Sequence, residues 1–177
     1  MDNWTAGIVT DGAVPIHYYR TGKGDKPLLL LSHGFTDNGL CWTRVTQSLE
    51  AEFDIVMVDA RNHGESGRAI GDSADLADDL ASVILNLKLG PARLMGHSMG
   101  AGTVAFLAAY HPSLVEKIVL EDPPWAENPK NESEVTAVKR RKGFKKYLDT
   151  MIEMSDEEIF QMGRKQHPDW HEDDFPA

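Results

Sequence analysis

Gly96-His97-Ser98-Met99-Gly100 is the segment of this chain best equipped for covalent chemistry. It joins an apolar run of strand character, Ala92 to Met95, to a small-residue run of helical character, Gly100 to Tyr110. A serine at such a junction is raised on a tight, strained turn that lifts its hydroxyl clear of the backbone. Small residues two positions to either side let strand and helix approach closely, which accounts for Gly96 and Gly100. The helix N-terminus beneath the serine offers unpaired N–H groups and a positive dipole end, and both favour an oxyanion. The pattern predicts Ser98 as a nucleophile; the competing reading is a serine that caps an ordinary helix.

A second segment, Ser32-His33-Gly34-Phe35, closes the apolar run Leu28 to Leu31. Glycine lets the chain turn sharply there and direct the next N–H groups into a cleft. The N–H of Phe35, with that of Met99, would hold the negative charge that forms when a carbonyl is attacked. His33 is read as structural in such a loop, with a base as the alternative.

The third segment, Asp59-Ala-Arg-Asn-His-Gly-Glu-Ser-Gly67, follows the apolar run FDIVMVD. Here the sequence resembles the α/β-hydrolase superfamily, whose members commonly carry Asp-x-Arg-Gly-His-Gly-x-Ser at this place. Asn62 stands where glycine is usual, a variant similar to the esterase branch. The likeness covers Leu28 to Trp125 closely, with three motifs in order. It implies that His63 and Asp59 shape the loop and take no part in catalysis. Relatives that open epoxides or remove halide place an aspartate where this chain has Ser98, so the serine argues for acyl transfer on esters, thioesters, lactones or amides. Cofactor-free perhydrolases of this fold share the serine.

A serine hydroxyl needs a neighbouring base to take its proton. In this fold the partners follow in the order serine, acid, histidine. Asp122, at the end of the run Lys117 to Glu121, is the one well-placed acid; it is read equally as a triad member or as a structural residue before Pro123-Pro124. No histidine qualifies. His97 flanks the nucleophile and is expected to point away from the cleft, and His111 lies at the far end of the next helix. His167 and His171 lack rigid support. The resemblance therefore implies truncation within the cap, because relatives continue with two more strands and their helices, ~60 residues at ~30 per unit. Two readings follow: an ester-type hydrolase that forms an acyl-enzyme on Ser98, or a catalytically incomplete form that keeps fold and serine.

These residues need elements to hold them. Trp4 to Val9 and Val14 to Arg20 read as a hairpin around Asp11-Gly12. Leu28 to Ser32, Phe53 to Asp59, Ala92 to Met95 and Lys117 to Glu121 read as further strands. Cys41 to Leu49 is a short predicted helix. Asp72 to Leu87 is an amphipathic one, with Leu76, Leu80, Val83, Ile84 and Leu87 at three- and four-residue spacing. The expected fold is an α/β core over residues 1–125: a mostly parallel sheet with helices on both faces, incomplete at its C-terminal side. A helical cap segment, 126–177, follows. It contains a helix from Glu132 to Leu148, broken or kinked at Gly143, and another from Asp156 to Met162 behind a Ser155/Glu158 capping box. Its last stretch, Gln166 to Ala177, reads as a loop. Trp125, at the junction, is either a cleft wall or a packing residue.

Composition sets outer bounds. The 177 residues carry 28 acidic against 18 basic side chains, a formal charge of −10, which repels phosphate backbones and argues against nucleic acid as a partner. The cluster Lys139, Arg140, Arg141, Lys142, Lys145 and Lys146 is read as the wet face of a helix rather than a binding patch. No apolar run is long enough to span a bilayer, and the N-terminus lacks the pattern of a secretory signal. The single cysteine, Cys41, fits a cytoplasmic location. No Cys/His cluster has zinc-ligand spacing, so neither metal nor cofactor is expected. The expected partners are a small ester-like substrate and, because Lys117 to Glu121 would form an apolar sheet edge, a second copy or a separate polypeptide that covers it.

Overall fold

A computed structural model of the protein describes residues 4–125 and 134–171. Two compact units divide it, Met1–Pro124 and Trp125–Ala177.

The first unit is built on one sheet of six strands in the order β1-β2-β4-β3-β5-β6. Strands β1 (Thr5–Val9) and β2 (Ile16–Arg20) form the antiparallel hairpin expected around Asp11-Gly12. β2 then pairs antiparallel with β4 (Asp54–Val58). From there the sheet is parallel: β4 with β3 (Leu28–Ser32), β3 with β5 (Ala92–His97), and β5 with β6 (Val115–Glu121). A turn of 3-10 helix at Gly39–Trp42 leads into α1 (Thr43–Leu49). The remaining helices of this unit are α2 (Ser73–Asn86) and α3 (Met99–Tyr110).

Why the central runs lack alternation is visible in the packing. Every residue of β3 and β4 is buried. Successive side chains on a strand point to opposite faces, and each face has its own apolar cluster. Leu28, Leu30, Val56 and Val58 join Leu80, Val83 and Ile84 of α2 and Val104 and Leu107 of α3. Leu29, Leu31, Ile55 and Met57 join Trp42, with Val45 and Leu49 of α1 against them. A strand covered on both sides has no polar face to reveal in sequence. β6 is different: Ile118 and Val119 are exposed, and the strand ends the sheet.

The amphipathic helix begins where its cap predicts. The Asp72 side chain accepts from the N–H groups of Ala74 and Asp75, and Asp75 returns the bond, completing a capping box worth about 1 kcal/mol. In the second unit, α4 (Glu134–Glu153) runs unbroken through Gly143, against the expected break. A lone glycine costs a helix only about 1 kcal/mol, which flanking helix formers such as Lys, Arg, Leu and Met offset. The exposed side chains of Lys139, Arg141, Lys142, Lys145 and Lys146 lie on α4, and Lys145 pairs with Asp149 at 2.7 Å. The expected start of this helix at Glu132 lies outside the described residues, as do residues 172–177 of the final loop. α5 (Asp156–Gln166) outlasts its expected end at Met162 and carries the Ser155/Glu158 capping box. No helix among the described residues is long and apolar enough to cross a membrane.

Candidate active site

Ser98 sits between β5 and α3 with φ 49° and ψ −113°, a conformation that few side-chain-bearing residues adopt. Its side chain makes no capping bond to the helix it precedes, which removes the reading of an ordinary N-cap. The bend is possible because two neighbours have no Cβ. A Cβ on Gly96 would lie 2.3 Å from Gly100 O, and one on Gly100 would lie 2.2 Å from Ser32 O and 2.7 Å from His33 O. Strand, helix and the end of β3 therefore meet in backbone contact under Ser98. The turn is anchored on the other side, where Ser98 N–H donates to Glu121 O at 2.9 Å. Met99 opens α3, so its N–H has no acceptor within the helix.

The loop after β3 reaches the same place, because β3 lies beside β5 with Ser32 opposite Gly96. Two histidines hold this loop. His33 is fully buried; its Nδ1 lies 2.6 Å from Gly34 O, and its Nε2 accepts the Ala60 N–H at 3.0 Å. An imidazole nitrogen that accepts from an amide is unprotonated, so Nδ1 carries the proton and donates to Gly34 O. Burial lowers the His33 pKa, which favours this neutral form. With Nε2 occupied, His33 cannot serve Ser98 as a base. His63 places Nε2 2.7 Å from Phe35 O and Nδ1 2.9 Å from Arg61 O. Phe35 itself is half exposed and meets the His63 ring edge-on, at 5.7 Å between centroids.

The loop after β4 is fixed by Asp59. Its buried carboxylate accepts from Gly39 N–H at 2.7 Å and Glu65 N–H at 3.0 Å, and pairs with His17 Nδ1 at 2.9 Å. Arg61 binds Asp79 through two nitrogens, at 2.6 and 2.8 Å, tying the loop to α2. Asn62 explains its own presence at a position where glycine is usual. It has φ 68°, which asparagine tolerates, and its side chain exchanges two hydrogen bonds with the Ala69 backbone.

Asp122 follows β6, which lies beside β5 with Glu121 opposite His97. It is exposed and has φ 45°, a second side-chain-bearing residue in the left-handed region at the C-terminal end of a neighbouring strand. The histidines of the first unit are placed elsewhere. His17 pairs with Asp59, His111 with Asp78 at 2.8 Å, and His33 and His63 with the backbone. His97 was expected to point away from the cleft. Its Nδ1 lies 2.9 Å from the point a Gly34 Cβ would occupy, beside the Asp37 carboxylate, so it borders the loop after β3. His167 stacks on Trp170 in the second unit. The Cys41 thiol is pushed up by burial and is a poor nucleophile. No group of three or more His, Cys, Asp or Glu among the described residues is arranged to hold a metal ion.

A family profile described as alpha/beta hydrolase fold matches residues 27–157, which include all three motifs. The chain belongs to the alpha/beta hydrolase fold family. Among characterised relatives it is 38% identical over 123 residues to 2-(acetamidomethylene)succinate hydrolase of Mesorhizobium japonicum, covering 68% of this chain and 44% of that protein. It is 31% identical over 122 residues to epoxide hydrolase 3 of Mus musculus, covering 66% of this chain and 33% of that protein. The crystal structure of E-2-(acetamidomethylene)succinate hydrolase superposes with a TM-score of 0.62 at 33% identity, over 66% of this chain and 43% of that one. The chain thus spans less than half the length of the curated relatives named here. For an alpha/beta hydrolase, the arrangement above joins a serine turn to an amide-bearing loop across two adjacent strands. Sequence reading singled out Ser98, Met99 and Phe35 but not the bonds from His33 and His63 to the loop carbonyls. No spacing rule reaches from residue 63 to residue 35; only the β3–β4 pairing brings them together.

Proposed function

We propose that this chain carries the nucleophile and oxyanion half of a serine hydrolase acting on carboxylic-ester-type substrates. Ser98 Oγ attacks the carbonyl carbon, and the N–H groups of Phe35 and Met99 hold the oxygen as it becomes negative. The Oγ–C bond forms, the bond to the leaving alcohol breaks, and the hydroxyl proton passes to a base and then to the leaving group. Water releases the acyl group by the reverse steps. Asp122 orients the base. The observation that carries the reading is the strained backbone of Ser98, set over two glycines with its side chain not used as a cap. Support for Asp122 comes from its own positive φ and from the Ser98 N–H bond to Glu121 O one residue earlier. The relatives are named as an epoxide hydrolase and a 2-(acetamidomethylene)succinate hydrolase; a serine in place of the epoxide-opening aspartate favours the acyl side.

A second reading, a form that acylates without turning over, is favoured by the histidines of the first unit, four of which are bonded to other partners. Release of p-nitrophenol from p-nitrophenyl acetate separates the two. Sustained turnover abolished by Ser98→Ala supports the enzyme. A burst of one equivalent or less, also lost in Ser98→Ala, supports the incomplete form. Equal release by parent and Ser98→Ala would sink both.

A further inference from the structure

We infer that His33 and His63 are positioning residues that aim the Phe35 amide at the oxyanion, by holding the carbonyls on either side of it. This rests on the reading of Ser98 as nucleophile and names what sets the geometry of its oxyanion donor. A trans peptide is planar, so the C=O of Gly34 and the N–H of Phe35 point in opposite directions from one rigid plate. Whatever fixes Gly34 O therefore fixes the direction of the Phe35 N–H. His33 Nδ1 does so at 2.6 Å, assisted by Asp37 N–H at 3.3 Å. The His33 ring cannot swing away, because its Nε2 is held by Ala60 N–H at the foot of the neighbouring loop.

One bond would not suffice. Glycine at 34 has access to both halves of backbone space, and the plate could flip by rotating at its two ends. The second end is held from the following peptide: His63 Nε2 lies 2.7 Å from Phe35 O, the shorter of its two carbonyl contacts, and donates there in the Nε2–H tautomer. His63 stands against the His33 ring at 5.1 Å and the Phe35 ring at 5.7 Å, with Nδ1 2.9 Å from Arg61 O. A flip of the Gly34–Phe35 plate would break the His33 bond and strain the His63 bond together. The two imidazoles come from separate loops, after β3 and within the turn after β4, so tertiary structure reinforces the loop's own turn bond from Asp37 in aiming the donor.

The test uses the full chain, with His63 chosen because it is only partly buried. His63→Leu removes the donor and keeps bulk; His63→Gln restores an amide N–H near the position of Nε2. The first readout is the rate of Ser98 modification by an alkyl fluorophosphonate, followed by intact mass. In that step the Ser98 Oγ–P bond forms, P–F breaks, fluoride leaves and the hydroxyl proton passes to solvent. A well-placed oxyanion donor is worth about 10²–10³ in rate, so His63→Leu should react about 10- to 100-fold more slowly and His63→Gln within about threefold of the parent. The second readout needs no reactivity: the ¹⁵N heteronuclear NOE at Phe35 and Thr36 should fall in His63→Leu and recover in His63→Gln, with Leu30 and Val56 unchanged. Unaltered NOE values in His63→Leu would overturn the inference, as would a glutamine variant no better than leucine. Failure of the parent chain to be modified at Ser98 would instead count against the nucleophile, leaving the NOE to decide the clamp.

Discussion

The two sides of Ser98 are built to different standards. Toward β3 and β4, every strand residue is buried and three loop groups are held by named partners: Gly34 O by His33, Phe35 O by His63, and Asp59 by Gly39, Glu65 and His17. Toward β6, Ile118 and Val119 are exposed, and Asp122 follows on an exposed, strained residue before two prolines. The closed side carries the amides proposed to stabilise charge, and such groups act best when they are preorganised. The open side holds the candidate acid, whose work requires a base. The difference between the two sides is one of burial and of hydrogen-bonded partners.

The sharpest way to break this comparison uses two glycines of α3, one facing each side. A Cβ at Gly100 would enter the backbone of Ser32 and His33 at 2.2 to 2.7 Å, and neither atom can yield. Gly100→Val should cost about 3 kcal/mol or more and abolish Ser98 labelling. At Gly102 the same Cβ would meet Pro124 Cγ at 3.4 Å, an ordinary contact on the open side. Gly102→Ala should stabilise by up to about 1 kcal/mol through helix propensity. Chemical denaturation of both variants checks the pair, and equal losses would remove the distinction.

The next contrast is in the strands. Leu30→Ala leaves a cavity at the fully buried centre of β3 and should cost about 2–5 kcal/mol. Ile118→Ala on β6, where the side chain is 40% exposed, should cost about 1 kcal/mol or less. Smaller again is the difference between two carboxylates. Asp59→Asn keeps the shape but turns one acceptor into a donor facing an N–H, at about 1–3 kcal/mol. Asp122→Asn should leave the denaturation midpoint within about 0.5 kcal/mol of the parent. If the chain turns over ester, Asp122→Asn should nevertheless lower kcat, which separates a catalytic role from a structural one.

What the amino-acid order reveals follows the same division. Strands β3 and β4 were legible as unbroken apolar runs, and α2 as a periodic run behind Asp72, because burial on two faces or one leaves a direct trace in residue type. Ser98 was legible because the chemistry of the turn demands Gly96 and Gly100 at fixed offsets. Asn62 was noticed as a substitution and understood only from its φ of 68° and its bonds to Ala69. Of the break or kink expected at Gly143, the break does not occur, because a single glycine weakens a helix by less than its neighbours stabilise it. The bonds between His33 and Ala60 and between His63 and Phe35 left no local signal, since they join residues brought together by the parallel pairing of β3 and β4.

The finest test of the closed side is its response to acid. Burial is the main influence lowering the His33 pKa, and the adjacent His63 lowers it further, while the Gly34 carbonyl, Asp37 and Asp59 oppose the shift. The folded protein therefore binds a proton at His33 less readily than the unfolded chain, whose histidine titrates near 6.5. The stability supplied by neutral His33 is fully present above that value and declines as pH falls from about 6.5 toward the lowered folded pKa. A proton on Nε2 would also face the Ala60 N–H, donor against donor, and release the ring that holds Gly34 O. Denaturation midpoints at pH 7.5 and 5.5, compared between the parent and His33→Asn, isolate this contribution because the carboxylates common to both chains cancel. The parent should lose more stability on acidification than the variant, and heteronuclear NOE values at Phe35 should fall with it. An equal loss in both chains would mean that the protonation state of His33 does not hold the loop.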